Sequence, residues 1–334
     1  MISLPALLDS ALAARGGFFD ERHESAFRLF NGFLEGFPAL SIDIYARSVL
    51  LHNYAEAPAD GQAAGAQRWV LEKLPWVRCI LVKTRNGQSD SEKRGQITFG
   101  TTPDRKVKER GVWYAIDLTM NRDASLYLDT RNLRAWALGN LAGKTVLNTF
   151  AYTGSLGVAA RAGGAARVVQ LDRNRAFLNV AKTSYTLNGF PLDKKDFIAE
   201  DFFPVVSQLK RTGQTFDCAF LDPPFFAATS KGTVDLETGS TKLINKIRPL
   251  VNNDGWLAVI NNALFVSGRD YLASLEALCA DGYLSLEELI PVPEDSTGFP
   301  QTRVGSLPVD PAPFNHSTKI ALLRVRRKPK VHPR

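Results

Sequence analysis

The sequence predicts an α/β fold with a mainly parallel sheet, preceded by a smaller β-rich domain. Three observations carry this. From about residue 121, short apolar runs alternate with amphipathic helical stretches, the pattern that builds βαβ units. Residues 23–120 read instead as short strands broken by turn signals. Acidic residues follow successive strand-like runs at Asp172, Asp201 and Asp222.

In chain order, residues 4–14 read as a short amphipathic helix ahead of the Gly16-Gly17 break. Residues 39–45 alternate and 48–54 resume after Ala46-Arg47, which predicts a hairpin. A helix over 69–74 and a strand over 79–83 follow. The stretch RNGQSDSEKRG, 85–95, reads as a polar loop, and KVKERGVWYAIDL returns to strand pattern. Helices are expected at 133–141, 156–162, 175–188, 203–210 and 241–249. Strands interleave them at 145–148, 167–171, 197–199, 216–221 and 255–261, and IALLRV is a final strand. Right-handed crossovers place the parallel strands' carboxyl ends on one edge, where ligands collect. The expected division is a helical segment 1–22, a β-rich domain 23–120, an α/β domain 121–328 and a basic tail 329–334.

Composition narrows the function. The 334 residues carry 41 Lys+Arg against 34 Asp+Glu, a net charge of +7 that suits a polyanionic partner. Cys79, Cys218 and Cys279 are far apart, and neither they nor the four histidines have metal-ligand spacing, so no metal is expected. Thiols without a disulfide framework fit a reducing cytosol. Without a signal peptide or a membrane-length apolar run, a soluble cytoplasmic protein is expected.

Chemistry gathers at the strand ends. NTFAYTGSLG, 148–157, leads from strand to helix, and Gly154 and Gly157 allow either close approach of a ligand or simply a tight turn. It matches neither the dinucleotide nor the phosphate-loop pattern. Asp172 can hold ribose hydroxyls or cap the 175–188 helix, and both can be true. Asp201 can accept from an adenine amino group or cap the 203–210 helix. LDPPFF, 221–226, closes the fourth strand. Together these ends describe a nucleoside-cofactor site lacking a phosphate loop, which favours S-adenosylmethionine over a nicotinamide.

NTFAYTGSLG, LDRN, AEDFF and LDPPFF resemble the motifs of class I S-adenosylmethionine-dependent methyltransferases. FRLFNGFLEGFPALSIDIYARSVLLHNY, VKERGVWYAIDL and SLYLDTRNLRAW extend the resemblance to bacterial 23S rRNA methyltransferases with cytosine-C5 and guanine-N7 members. It covers about residues 23–325 and implies a Rossmann-like domain with a mainly parallel seven-stranded sheet. By resemblance, Phe150, Tyr152 and Gly154 shape the methionine pocket, Asp172 takes the ribose and Asp201 the adenine. Thr149, Ala151, Ser155, Leu156, Arg173, Asn188 and Phe202 join the cofactor set, and Tyr127, Asp129 and Arg131 approach from outside the sheet. Asp222, Pro223, Pro224 and Phe225 form the catalytic set, between cofactor and base.

Two departures refine the resemblance. Carbon-5 chemistry needs a cysteine nucleophile, yet Asn261 and Asn262 stand where cytosine-C5 members carry theirs. Cys218, inside a strand, reads as a core thiol. A base nitrogen is therefore the expected target, oriented by the Asp222 carboxylate and the Pro223 carbonyl. Phe225 or Phe226 would stack on the base, with at least one of the pair expected in the core. The second departure is the amino terminus, where about 22 residues are too few for a PUA module. RNA, chiefly 23S rRNA, is the expected partner, and a homodimer is compatible with the reading. Phosphate contacts are sought in Arg105, Lys106, Lys108, Arg110 and the tail 324–330. His316 could reach the substrate, but a loop histidine is more often structural. The alternatives are a methyltransferase for a small molecule or protein and a non-catalytic RNA-binding protein.

Overall fold

A computed structural model describes residues 2–56, 61–229 and 231–327, without the side chain of residue 229. Among them, residues up to Arg131 together with Pro293–Leu307 form one compact unit. Asn132–Val292 and the residues from Pro308 onward form the other. The first boundary thus falls eleven residues beyond the expected 120, and the chain returns once to the first unit.

In the first unit, helix α1 (Leu4–Ala14) precedes strands β1 (Ala26–Asn31), β2 (Leu40–Tyr45) and β3 (Ser48–Asn53). The hairpin lies where the sequence placed it, with Tyr45 opposite Ser48 and Ala46 left-handed at φ 55°. Helix α2 (Gln62–Lys73) then crosses over to β4 (Cys79–Thr84), which runs parallel to β3. The 85–95 stretch is not wholly loop. It contains α3 (Asp90–Arg94), nucleated by a capping box in which Ser89 and Glu92 satisfy each other's backbone donors. Strand β5 (Gln96–Phe99) completes a five-stranded sheet, and β6 (Lys106–Glu109) pairs with β7 (Val112–Ala115) in a separate ribbon.

Helix α4 (Arg131–Asn140) leads into the second unit. There β8 (Thr145–Thr149), α5 (Ser155–Ala162), β9 (Arg167–Leu171), α6 (Arg175–Leu187), β10 (Phe197–Ile198), α7 (Phe202–Arg211) and β11 (Phe216–Leu221) alternate. A hairpin of β12 (Phe226–Thr229) and β13 (Gly232–Asp235) interrupts the alternation before α8 (Ser240–Ile247). Then come β14 (Val251–Asn261), α9 (Gly268–Cys279) and β15 (Leu284–Ile290). Helix α10 (Glu294–Thr297) belongs to the first unit, and β16 (Lys319–Val325) ends the sheet.

The seven strands lie in the order β10-β9-β8-β11-β14-β16-β15, with only β16 antiparallel to its neighbours. Alternating side chains feed two cores, as the pleat requires. Ala219 and Leu221 pack with α7, α8 and α9, whereas Cys218 and Phe220 pack with α4 and α5. The chain winds from β8 outward to β10, then returns to β11 on the other side of β8. That reversal leaves a crevice beyond the carboxyl ends of β8 and β11, where such sheets hold their ligands. Among the described residues, no helix is long and apolar enough to cross a membrane.

Candidate active site

Register aligns the ends that carry the acidic residues. Thr149 lies opposite Leu171 on one side and Leu221 on the other, so Phe150, Asp172 and Asp222 emerge on one row. With strands ~4.8 Å apart, Asp172 and Asp222 flank the crevice at roughly 10 Å.

The loop after β8 is held in a costly shape. Phe150, Tyr152 and Gly154 have φ of 54°, 52° and 76°, and each left-handed non-glycine residue costs roughly 1–2 kcal/mol. Tertiary bonds impose it: Thr149 Oγ1 donates to Phe220 O (2.7 Å), and Ala151 N–H donates to Leu171 O (2.9 Å). Tyr152 N–H donates to Asp172 Oδ2 at 2.8 Å, and Asn174 N–H to Asp172 Oδ1 at 2.8 Å. Asp172 therefore fastens the glycine loop to the end of β9. It is not the cap of α6; Asn174 is, accepting from Ala176 N–H. Burial pushes the Asp172 carboxyl above its ordinary value, against the pull of these two N–H groups.

The glycines answer to packing. A Cβ on Gly157 would lie 2.2 Å from Gln170 Nε2, and one on Gly154 would lie 2.6 Å from the Ala181 Cβ. The fully buried Gln170 amide fills that space, accepting from Asn148 Nδ2 (2.8 Å) and donating to Gly154 O (3.2 Å). Gly154 is also the N-cap of α5, whose first turn of N–H groups begins at Ser155 beside the crevice. Leu156 is buried in the core beneath.

Phe150 stacks on Phe202 at 4.6 Å, and Tyr152 meets Phe177 edge-on at 4.6 Å, giving the crevice apolar walls. Asp201 caps α7, its Oδ1 accepting from Phe203 N–H (3.0 Å), one of the two roles the sequence offered it. Arg173 is exposed on the loop after β9. The structure does not bring Asn188 to this edge. It closes the far end of α6, where its amide donates to Ser184 O, ~18 Å along the helix axis from Arg175.

The LDPPFF turn departs from expectation. Asp222 is half-buried, Pro223 buried and Pro224 exposed. Neither phenylalanine enters the core: Phe225 is 45% exposed and Phe226 60%. The β12–β13 hairpin, which sequence reasoning missed, carries Phe226 away from the sheet. A second apolar pair was also missed: Leu264 and Phe265, 42% and 69% exposed, follow the carboxyl end of the neighbouring β14. Their signal was an unbroken apolar run of four, Ala263-Leu264-Phe265-Val266, after a strand that had already ended.

Hydrogen bonds lock the two loops together. Leu236 N–H donates to Phe225 O (3.0 Å), Asn261 Nδ2 donates to Leu236 O (3.2 Å), and Ala263 N–H donates to Asn261 Oδ1 (2.9 Å). The buried Lys319 ammonium donates to Ala263 O and Ser317 O, and burial lowers its pKa to about 8. Asn262 is exposed. Cys218 is fully buried in β11, with its thiol pushed up by desolvation. His316 accepts from Thr318 N–H within its own turn.

Tyr127, Asp129 and Arg131 lie in the first unit. Tyr127 donates to Asp123 Oδ2 (3.1 Å), Asp129 is half-buried, and the Arg131 guanidinium is a strut on Asp295 (2.8 and 3.0 Å). Several expected phosphate ligands have internal partners: Arg105 pairs with Asp117, and Lys106 and Lys108 sit over Trp113. Arg324 covers Trp256, Arg326 pairs with Asp254, and Arg327 donates to the Pro249 and Val251 carbonyls. Lys328, Lys330 and the 329–334 tail lie outside the described residues.

A family model described as S-adenosylmethionine-dependent methyltransferase matches residues 93–304. The chain belongs to this family. S-adenosylmethionine is its cofactor, and the site fits that molecule. Each Asp172 oxygen accepts a single backbone N–H, which leaves lone pairs for the two hydroxyls of a ribose. Among similar proteins, the ribosomal RNA large subunit methyltransferase I of Photobacterium profundum is 28% identical over 271 residues, 77% of this chain and 66% of that protein. The methyltransferase K/L of Colwellia psychrerythraea is 28% identical over 272 residues, 78% of this chain and 36% of that protein. This methyltransferase thus spans about two thirds of the first relative's length and about a third of the second's. Among solved structures, SMU.776, a candidate methyltransferase in complex with SAH, shares the fold. The TM-score is 0.83 at 22% identity, covering 97% of this chain and 83% of that one.

Proposed function

We propose that this methyltransferase modifies a base nitrogen in RNA, most naturally in large-subunit ribosomal RNA. The observation that carries the reading is the pairing of the Asp172 edge with exposed aromatics on the two loops beside Asp222. The names of the relatives and the +7 charge favour RNA over a small molecule.

When bound, the cofactor supplies a methyl group on a sulfonium. The chain's own work is holding and shielding. Asp172 would accept from the cofactor's ribose hydroxyls, Asp201 would accept from its adenine amino group, and the first turn of α5 would offer N–H groups to its carboxylate. Phe150 and Phe202 wall the apolar side. At the other end, Phe225, Phe226 and Phe265 take the target base by its faces, a contact worth ~1–3 kcal/mol per base. The Asp222 carboxylate and the Pro223 carbonyl accept from a base N–H and turn a nitrogen lone pair toward the methyl. Asn261, which bonds Leu236 O and Ala263 N–H, is a positioning residue that aligns the aromatic loops. It stands where a carbon-5 enzyme would need a thiolate.

The test is calorimetry of S-adenosylmethionine on wild type and Asp172→Ala, with mass spectrometry of ribosomal RNA nucleosides from cells with and without the gene. A loss of affinity in the variant and a missing N-methylated base support the proposal. Equal binding by the two proteins, or a missing carbon-5 methylation, overturns it.

A further inference from the structure

Beside the cofactor edge, the second unit has a cleft of about 420 Å³ whose polar lining is almost wholly cationic. Arg175 and Lys182 reach it from α6, and Lys194 and Lys195 from the turn before β10. Glu200 is the one carboxylate lining it. The other acids of that turn are turned to local work: Asp196 holds Arg167 at 2.7 Å, and Asp193 accepts from Lys195 N–H at 3.0 Å.

Three features give the cleft a direction and a floor. Positions 175, 178 and 182 fall on one face of α6, so Leu178 lies between two of the cations. The floor is β10, the edge strand of the sheet, with Phe197 and Ile198. The Lys182 ammonium sits 5.5 Å from the Phe197 ring centroid. Finally, the cleft abuts the active site, because Arg175 lies three residues after Asp172 and Glu200 immediately precedes Asp201. By strand spacing, β10 is roughly 14 Å across the sheet from β11 and its Asp222 turn.

We propose that this cleft holds the phosphodiester backbone of the substrate RNA a short way along the strand from the target base. The inference rests on the RNA reading above. Four cations against one carboxylate attract a polyanion. Their spread along a helix and a turn suits successive phosphates better than one compact anion. The apolar floor takes the ribose or base between them. Such contacts give affinity and register without sequence specificity, and they sit on the same unit as the cofactor residues.

The experiment compares three proteins for binding to protein-free large-subunit ribosomal RNA across a salt series. These are wild type, Lys182→Ala/Lys194→Ala/Lys195→Ala, and a control of equal charge loss, Arg22→Ala/Arg68→Ala/Arg94→Ala. Affinity for S-adenosylmethionine and thermal melting are measured in parallel. The cleft variant should lose RNA affinity on the order of tenfold or more at low salt, with a slope of log K against log salt shallower by about 2. Its cofactor affinity and melting should match wild type, and the control should keep its RNA affinity. Wild-type RNA affinity and slope in the cleft variant, or an equal loss in the control, overturns the proposal. So does loss of binding to adenosine monophosphate with RNA binding intact, which would make the cleft a mononucleotide site. Should wild type itself bind S-adenosylmethionine but no RNA, the substrate reading falls and this proposal with it.

Discussion

The two units treat their charged groups in opposite ways. In the first, three sets of buried charges are closed onto one another, although the buried Lys83 ammonium is held by backbone carbonyls instead. Arg15 pairs with Glu35 at 2.9 Å, Arg131 with Asp295 at 2.8 Å, and Asp43 takes Arg28 at 2.8 Å and His52 at 3.2 Å. Burial lowers the His52 pKa while Arg28 holds the Asp43 carboxyl well below its ordinary range. In the second unit, the acids at the strand ends take backbone N–H groups, and the aromatics beside them face solvent. A carboxylate closed by a guanidinium has finished its bonding and serves the fold. One that has accepted only single N–H groups keeps acceptor capacity for a ligand.

The largest effect that would break this contrast is expected in the first unit. Asp295→Ala takes the bidentate partner from Arg131, leaving it Glu109 at 3.7 Å, and removes the acceptor of Arg28 N–H, so it should cost about 3 kcal/mol in urea unfolding. A loss below about 1 kcal/mol would mean that the pair is not closed as described. Next comes Asp172→Ala, which removes two hydrogen bonds to a charged acceptor. It should weaken S-adenosylmethionine binding on the order of a hundredfold. By releasing the Tyr152 and Asn174 N–H groups it should also cost about 1–3 kcal/mol in unfolding, less than the change at Asp295. If stability collapsed instead, Asp172 would belong with the structural charges.

Phe226→Ala and Phe265→Ala should sharpen the contrast from the aromatic side. Each should lower kcat/KM on RNA by roughly 5- to 150-fold, the worth of one stacked base, and leave stability within about 0.5 kcal/mol. A large drop in melting temperature would show that these rings pack rather than wait. The smallest effect is a pH dependence. On the proposed reading, ribose binding needs ionised Asp172, whose pKa lies above its ordinary 3.8. Cofactor affinity should therefore fall on acidification with a midpoint above 3.8, and Asp172→Asn should lack that step. Stability moves the other way. A raised carboxyl pKa means that the folded chain binds this proton more readily, so this group's contribution grows as the pH falls and is lost as it rises.

Much of this was legible in the residues because it is local. Strand and helix periodicity located β8 to β11 and α5 to α7, and Ala46-Arg47 announced the hairpin. Asp172 and Asp201 stand just after β9 and β10, as the strand pattern placed them. The misses have separate causes. The loop reading of 85–95 weighed polarity and overlooked the Ser89–Glu92 box, a signal that was present. Asn188 entered only through the family resemblance, and helix rise carries it to the far end of α6 from Arg175.

By itself, then, the sequence determined which residues end β8, β9 and β11, and hence the row on which Phe150, Asp172 and Asp222 stand. A period of two and a right-handed crossover leave little choice once the strands are known. Only the tertiary structure decided where the side chains around that row go. It filled the space at Gly157 with Gln170, made Asn174 the cap in place of Asp172, and turned Phe225, Phe226 and Phe265 to solvent. Turns have no period, so the direction of a side chain there depends on the neighbours that remote segments supply.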